Sequence, residues 1–203
     1  NHFHSGIDIK TQLKEGLKVF SVAKGNISRI KIDHGGFGKA IYVNHPNGYT
    51  TVYAHLKKFN SSIEEFVKRI QYKKQSYEID FYLNSSDLKV FDNEIIGFSG
   101  NTGSSSGPHL HFETRKTINQ KALNPLLFGI EIKDTKRPVV NSLYMYKKLK
   151  SGLTSQPYEV LLNKINDSTF TTKKIKVNGL VSFGLSGFDS QDLAKNKNGI
   201  YEI

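Results

Sequence analysis

Short runs of alternating apolar and polar residues, each closed by a glycine, proline or Asn-Gly turn, fill almost all of this 203-residue chain, and they restrict it to mainly antiparallel β structure. Strands are expected at residues 18–24 and 26–33 around Gly25, at 39–45, and at 49–56 after the turn Pro46-Asn47-Gly48, where Asn-Gly accommodates the positive φ of a hairpin. Further strands are expected at 77–83, 94–99 and 109–112. One window follows a different period. Ser61 and Glu64 have capping-box spacing, and Ile63, Phe66, Val67 and Ile70 fall on one helical face, which predicts a helix of about three turns.

These elements are expected to form one domain over residues 1–133, an antiparallel sheet with a groove, in which 57–92 is an inserted flap carrying the helix. The polar, proline-stopped run Asp134-Thr135-Lys136-Arg137-Pro138 reads as a link. Residues 134–203 then offer short strands at 139–147, 158–165, 170–177, 180–188 and 200–203, which predict a small β-sandwich. The last strand has no closing turn, so the sandwich reads as truncated.

The chain has no cysteine, which removes disulfides, thiolate ligands and a cysteine nucleophile, leaving histidine and carboxylate as its strong metal ligands. A net charge of +11 favours acidic polymers as neighbours, but no basic arm, zinc finger or aromatic signature points to specific nucleic-acid binding. No apolar run approaches the length of a transmembrane segment. The first residue is Asn1, three positions before a motif histidine, so the chain reads as a fragment or processed form whose targeting signal is missing.

Three separated segments concentrate the chemistry. In a strand at 109–112, His109 and His111 face one way and Leu110 and Phe112 the other. His4-Ser5-Gly6-Ile7-Asp8 places His4, Gly6 and Asp8 on one strand face, and Tyr53-Ala54-His55-Leu56 ends an alternating run. Four imidazoles and one carboxylate suit a zinc site with three protein ligands and an open position. Tyr53, two positions from His55, is expected on the same face, either in the groove or in the core. Glu113 shares the face of His109 and His111; it either orients a ligand or is a solvated strand-end carboxylate. His2, His34 and His45 read as loop residues without a metal role. Asp33-His34-Gly35-Gly36-Phe37-Gly38 reads as turn geometry, since its spacing is not that of a phosphate loop and no helix follows. Ser104, Ser105 and Ser106 do not make a serine nucleophile, because no Gly-x-Ser-x-Gly elbow surrounds them.

Taken together, His-x-Gly-x-Asp at 4–8, Tyr-x-His-Leu at 53–56 and Gly-Asn-Thr-Gly…Gly-Pro-His-Leu-His-Phe-Glu at 100–113 resemble the lysostaphin and LytM family of zinc endopeptidases, over roughly residues 1 to 128. The resemblance implies a β-sheet enzyme that cuts peptide bonds of bacterial peptidoglycan outside the cytoplasm, in the periplasm or secreted, with room for envelope protein partners. It implies His4, Asp8 and His111 as Zn2+ ligands and His55 and His109 as unligated catalytic histidines, one as base and one at the oxyanion. The carboxy-terminal part resembles the immunoglobulin-like domains appended to envelope members. Two departures, the long segment 57–92 and Phe91-Asp92-Asn93-Glu94 in place of a Lys-Gly-type turn, bear on substrate preference. The competing reading is a catalytically silent module that binds wall or activates a partner hydrolase. A weaker one is a basic polyanion binder with salt-sensitive binding.

Overall fold

The computed structural model describes residues 4–149, 152, 154–192 and 196–200. The chain divides into two compact units, Asn1–Ile130 and Glu131–Ile203. The first unit holds β1 (Ile7–Lys10), β2 (Lys18–Phe20), β3 (Gly25–Ile32), β4 (Lys39–Asn44), β5 (Tyr49–Ala54), β6 (Leu56–Phe59), α1 (Ser61–Lys74), β7 (Ile79–Tyr82), β8 (Lys89–Val90), β9 (Ile95–Ser99), β10 (His109–Lys116) and β11 (Ala122–Leu123), followed by a 3₁₀ turn at Pro125–Phe128. The main antiparallel sheet runs β1-β10-β5-β4-β3-β7, with β8 added to β3 and β11 to β10; a smaller sheet runs β2-β9-β6. Among the described residues, no helix is long and apolar enough to cross a membrane.

The two faces of the main sheet do different things. One packs Ile27, Ile30, Ile41, Val43, Tyr53 and Phe112 into the large core, which also takes Leu56, Phe59 and Ile96 from the smaller sheet and Ile63 and Val67 from α1. Each fully buried aliphatic side chain there contributes about 1.5–3 kcal/mol. A bulge between Ile27 and Arg29 lets both Ile27 and Ile30 face inward despite their odd spacing. The opposite face carries a smaller apolar cluster of Ala40, Tyr42, Val52 and Ala54, with Phe37 against them, and it is on this face that His111 lies beside Ala54.

Tyr53 corrects the parity expected from sequence. It pairs with Phe112 on the core face, is 1% exposed, and its hydroxyl oxygen accepts from Val22 N–H at 3.0 Å. His55 is not on its face, because His55 adopts φ +59° and interrupts the strand between β5 and β6. Strand alternation cannot be carried across a left-handed residue.

The helix is capped one residue earlier than expected. Asn60, not Ser61, accepts from Ile63 N–H at 2.9 Å, while Glu64 reaches back to Phe59 N–H at 3.1 Å, so the reciprocal cap survives with a different partner. The helix is 14 residues long, about four turns. Within segment 57–92, expected as an inserted flap carrying the helix, β7 and β8 are hydrogen-bonded to β3, and α1 buries Ile63 and Val67 in the core.

The second unit holds β12 (Val139–Lys147), β13 (Tyr158–Val160), β14 (Asn163–Lys164), β15 (Phe170–Thr171) and β16 (Val181–Phe188). A three-stranded antiparallel sheet, β13-β12-β16, accompanies the two-stranded β14-β15. The strand expected at 170–177 stops at Thr171, and beyond it Thr172, Lys173, Lys174 and Lys176 are exposed. His2 and the expected strand end at 201–203 lie outside the described residues.

Candidate metal centre

β1 and β10 bring the first and third motifs together. Their register sets Asp8 opposite His111 and Ile7 opposite Phe112, so the polar pair faces the site and the apolar pair is directed toward the core side. Gly6 makes the approach possible: a Cβ there would lie 2.3 Å from the Phe112 carbonyl oxygen and 2.8 Å from Glu113 Cγ. The chain can therefore lie against β10 just after His4, which brings the first imidazole over the strand.

His4 Nε2, Asp8 Oδ1 and His111 Nδ1 form a triangle with every side 3.1 Å. This is the one group of three among the described residues that is spaced to hold a metal ion. A tetrahedral zinc with bonds of ~2.0–2.1 Å separates its ligand atoms by about 3.3 Å, and two imidazoles with a carboxylate are a donor set it accepts. The residues present fit the ion. His111 reaches the triangle with Nδ1 because its Nε2–H donates to Glu113 Oε1 at 2.9 Å. Glu113 is wholly buried and takes further hydrogen bonds from Ser5 and from Arg115, the latter at 2.5 Å.

The field at the site favours positive charge. Burial would raise the Asp8 carboxyl, but the hydrogen bond to His111 and the neighbouring imidazoles hold it at about 2. Burial likewise opposes charge on His111, yet its bonds to Asp8 and Glu113 prevail and lift it to about 9. For Glu113, burial is outweighed by His111, Arg115 and Ser5, leaving it at about 2.

His55 and His109 stand beside the triangle with ring centroids 4.7 Å apart. His55 Nδ1–H donates to the Thr102 carbonyl at 2.8 Å, and His109 Nδ1–H donates to the Gly107 carbonyl at 2.7 Å. Carbonyls only accept, so each Nδ1 carries the proton and each Nε2 keeps its lone pair. His109 Nε2 lies 3.4 Å from Asp8 Oδ1. Burial depresses the His55 imidazole below the usual histidine range.

These five residues line a cleft of about 370 Å³, whose wall is made by Gly36, Phe37 and Ser104 to Ser106. The two wall loops are bonded together: Ser104 N–H donates to the Gly36 carbonyl at 2.8 Å, and Gly36 N–H donates to Ser104 Oγ at 3.0 Å. Phe37 lies 5.0 Å from the His111 ring, centroid to centroid, and its carbonyl accepts His55 N–H at 2.9 Å. Sequence reasoning gave Phe37 no role, and a hydrophobic residue within a glycine turn carries no signal for one.

The other histidines are elsewhere. His34 bonds Glu78 on the exposed surface at 2.5 Å. His45 lies in the loop after β4 and is buried there: its ring nitrogens reach the Lys24 carbonyl at 2.9 Å and Thr51 Oγ1 at 2.8 Å.

Residues 2–72 match the profile of Peptidase family M23. The chain is 35% identical over 123 residues to DD-carboxypeptidase/endopeptidase Mpg of Neisseria meningitidis serogroup B, covering 61% of this chain and 22% of that protein. It is 31% identical over 110 residues to peptidoglycan DD-endopeptidase ShyA of Vibrio cholerae, covering 54% and 20%. It thus spans about a fifth of the length of these curated relatives. Among solved structures, the catalytic domain of lysostaphin from Staphylococcus simulans aligns with a TM-score of 0.44 at 26% identity, over 62% of this chain and 77% of that one. The amino-terminal unit of this chain is thus similar to members of Peptidase family M23.

Proposed function

We infer that this protein is a zinc-dependent endopeptidase that hydrolyses cross-link or stem peptides of bacterial peptidoglycan, outside the cytoplasm. The observation that carries the reading is the 3.1 Å triangle of His4, Asp8 and His111 beside two histidines with unbonded Nε2 atoms. The substrate class is supported by kinship with proteins named as DD-carboxypeptidase/endopeptidase and peptidoglycan DD-endopeptidase.

His4, Asp8 and His111 would hold the zinc ion, which would supply Lewis acidity toward the scissile carbonyl and lower the pKa of water toward roughly 7. The chain's own groups handle the protons. Nε2 of one histidine of the pair takes the proton of the attacking water and returns it to the leaving amine, while the other, once a second proton taken from solvent at Nε2 has made it imidazolium, donates that N–H to the oxygen on which negative charge develops. Backbone carbonyls at Thr102 and Gly107 hold both rings by Nδ1, so neither has to reorient during the reaction. Asp8 and Glu113 fix the ligand geometry.

Purified peptidoglycan incubated with the zinc-loaded protein tests the reading. Mass spectrometry of the soluble products should show peptide-bond cleavage with wild type. His109→Ala should keep one zinc per chain and lose about 10²–10⁴-fold in rate. Equal release by both proteins would sink the mechanism, and binding without release would favour the silent module.

A further inference from the structure

We propose that Glu113 is a positioning residue for the metal centre, tying the His4–Asp8 segment to His111 through Ser5 and directing His111 to present Nδ1. The proposal rests on the metal-site reading above.

Glu113 has no exposed surface, and a carboxylate removed from water is costly unless its oxygens are met by donors. Here the donors come from both ligand-bearing segments. Oε1 accepts from His111 Nε2 at 2.9 Å and from the Ser5 hydroxyl. Oε2 accepts from Arg115 Nε at 2.5 Å, and the Arg115 guanidinium lies 5.7 Å from the Tyr42 ring centroid, which fixes its direction. An ionised carboxylate only accepts, so the His111 proton must sit on Nε2 and the lone pair on Nδ1, which is the atom in the triangle. Ser5 adjoins His4, so the same carboxylate also holds the segment that delivers the first imidazole. One buried group therefore sets the tautomer of one ligand and the placement of another. Arg115 keeps that group ionised.

The test measures zinc dissociation constants of the full chain by competition with a chromogenic chelator, together with the visible spectrum of the cobalt(II)-substituted protein. Glu113→Gln keeps shape and one acceptor but removes the charge and turns an NH₂ toward one of the donors. Zinc should bind about 10–100-fold more weakly, with altered cobalt bands. A folded Glu113→Gln protein with zinc affinity within about twofold of wild type and an unchanged cobalt spectrum overturns the proposal. Should that variant not fold, Ser5→Ala removes one donor at a partly exposed position and should weaken zinc binding roughly 2–10-fold; unchanged affinity there overturns it equally. A wild-type protein that binds no zinc would overturn the metal-site reading itself, and this proposal with it.

Discussion

Asp8 and His111 are direct partners across the β1–β10 ladder, and Asp8 Oδ1 lies 3.1 Å from His111 Nδ1. Two of the three candidate ligands are thus held by sheet register, and the third by the chain just before it. Asp8→Ala leaves the ladder's backbone bonds intact but opens the triangle. Elemental analysis after dialysis should find one zinc per chain in wild type and almost none in Asp8→Ala. Full zinc retention by the variant would remove Asp8 from the ligand set.

His55 and His111, with ring centroids 5.8 Å apart, shift in opposite directions. Burial lowers His55, so between its folded pKa and the usual 6.5 the unfolded chain binds more protons at this position, and stability from His55 falls as pH drops through that window. His111 is raised to about 9, so its contribution is fully present below 6.5 and is lost as pH rises through 9. Asn tolerates the left-handed backbone at 55 and does not titrate. Urea unfolding in chelator from pH 7.5 to 5 should therefore show wild type losing stability relative to His55→Asn. Parallel curves would contradict the burial argument.

Gly6→Ala places a methyl 2.3 Å from the Phe112 carbonyl oxygen, and backbone cannot yield as a flexible side chain would. The segment bearing His4 must lift off β10. A loss of about 1–3 kcal/mol in urea unfolding is expected, accompanied by weaker zinc binding. Substitution at Gly16, where a Cβ meets nothing within 4 Å, should leave zinc affinity unchanged despite its φ of +85°. Equal zinc affinity in Gly6→Ala and wild type would refute the close-approach account.

Asn60 caps α1 and also donates Nδ2–H to the Ile95 carbonyl at 2.8 Å, linking the helix start to β9. Asn60→Ala should cost about 1–2 kcal/mol, whereas Ser61→Ala should change stability by less than about 0.5 kcal/mol. Equal losses in the two would return the cap to Ser61.

Much of the layout of the candidate site could be read from sequence because a histidine and carboxylate cluster needs particular residue types at strand spacing. His109 and His111 alternate against Leu110 and Phe112 within a continuous β10, and period two carries that information directly. Tyr53 and His55 failed the same test, because the sign of φ at His55 is set by its tertiary hydrogen bonds to Phe37 and Thr102 and leaves no local pattern. The place of β7 and β8 beside β3 was equally hidden, since pairings such as Ile32 with Ile79 and Gly25 with Val90 are invisible to any short window. Glu113 was ambiguous until its partners were known: burial, not residue type, separates a strand-end carboxylate from one enclosed by Ser5, His111 and Arg115. In the second unit, Ile175 and Val177 alternate with lysines as they would in a strand, yet β15 ends at Thr171, an end the local pattern does not mark.

The bonded wall loops carry a mechanical consequence. Gly103 sits at φ +74° with its Cα side pressed to Gly38, where an added Cβ would be 2.3 Å from the amide nitrogen, and Thr102 Oγ1 bridges Lys39 N–H to the Leu56 carbonyl. The loops at 35–38 and 102–104 are buckled into one plate, and His55 hangs from both halves of it, from Phe37 by its amide and from Thr102 by its ring. Widening the cleft by lengthening either loop would drag the histidine with it. Free variation of the groove is therefore left to the exposed Ser106 side chain, since the Ser105 hydroxyl is engaged by the Gly107 carbonyl at 2.9 Å and by His109 Nδ1 at 3.2 Å.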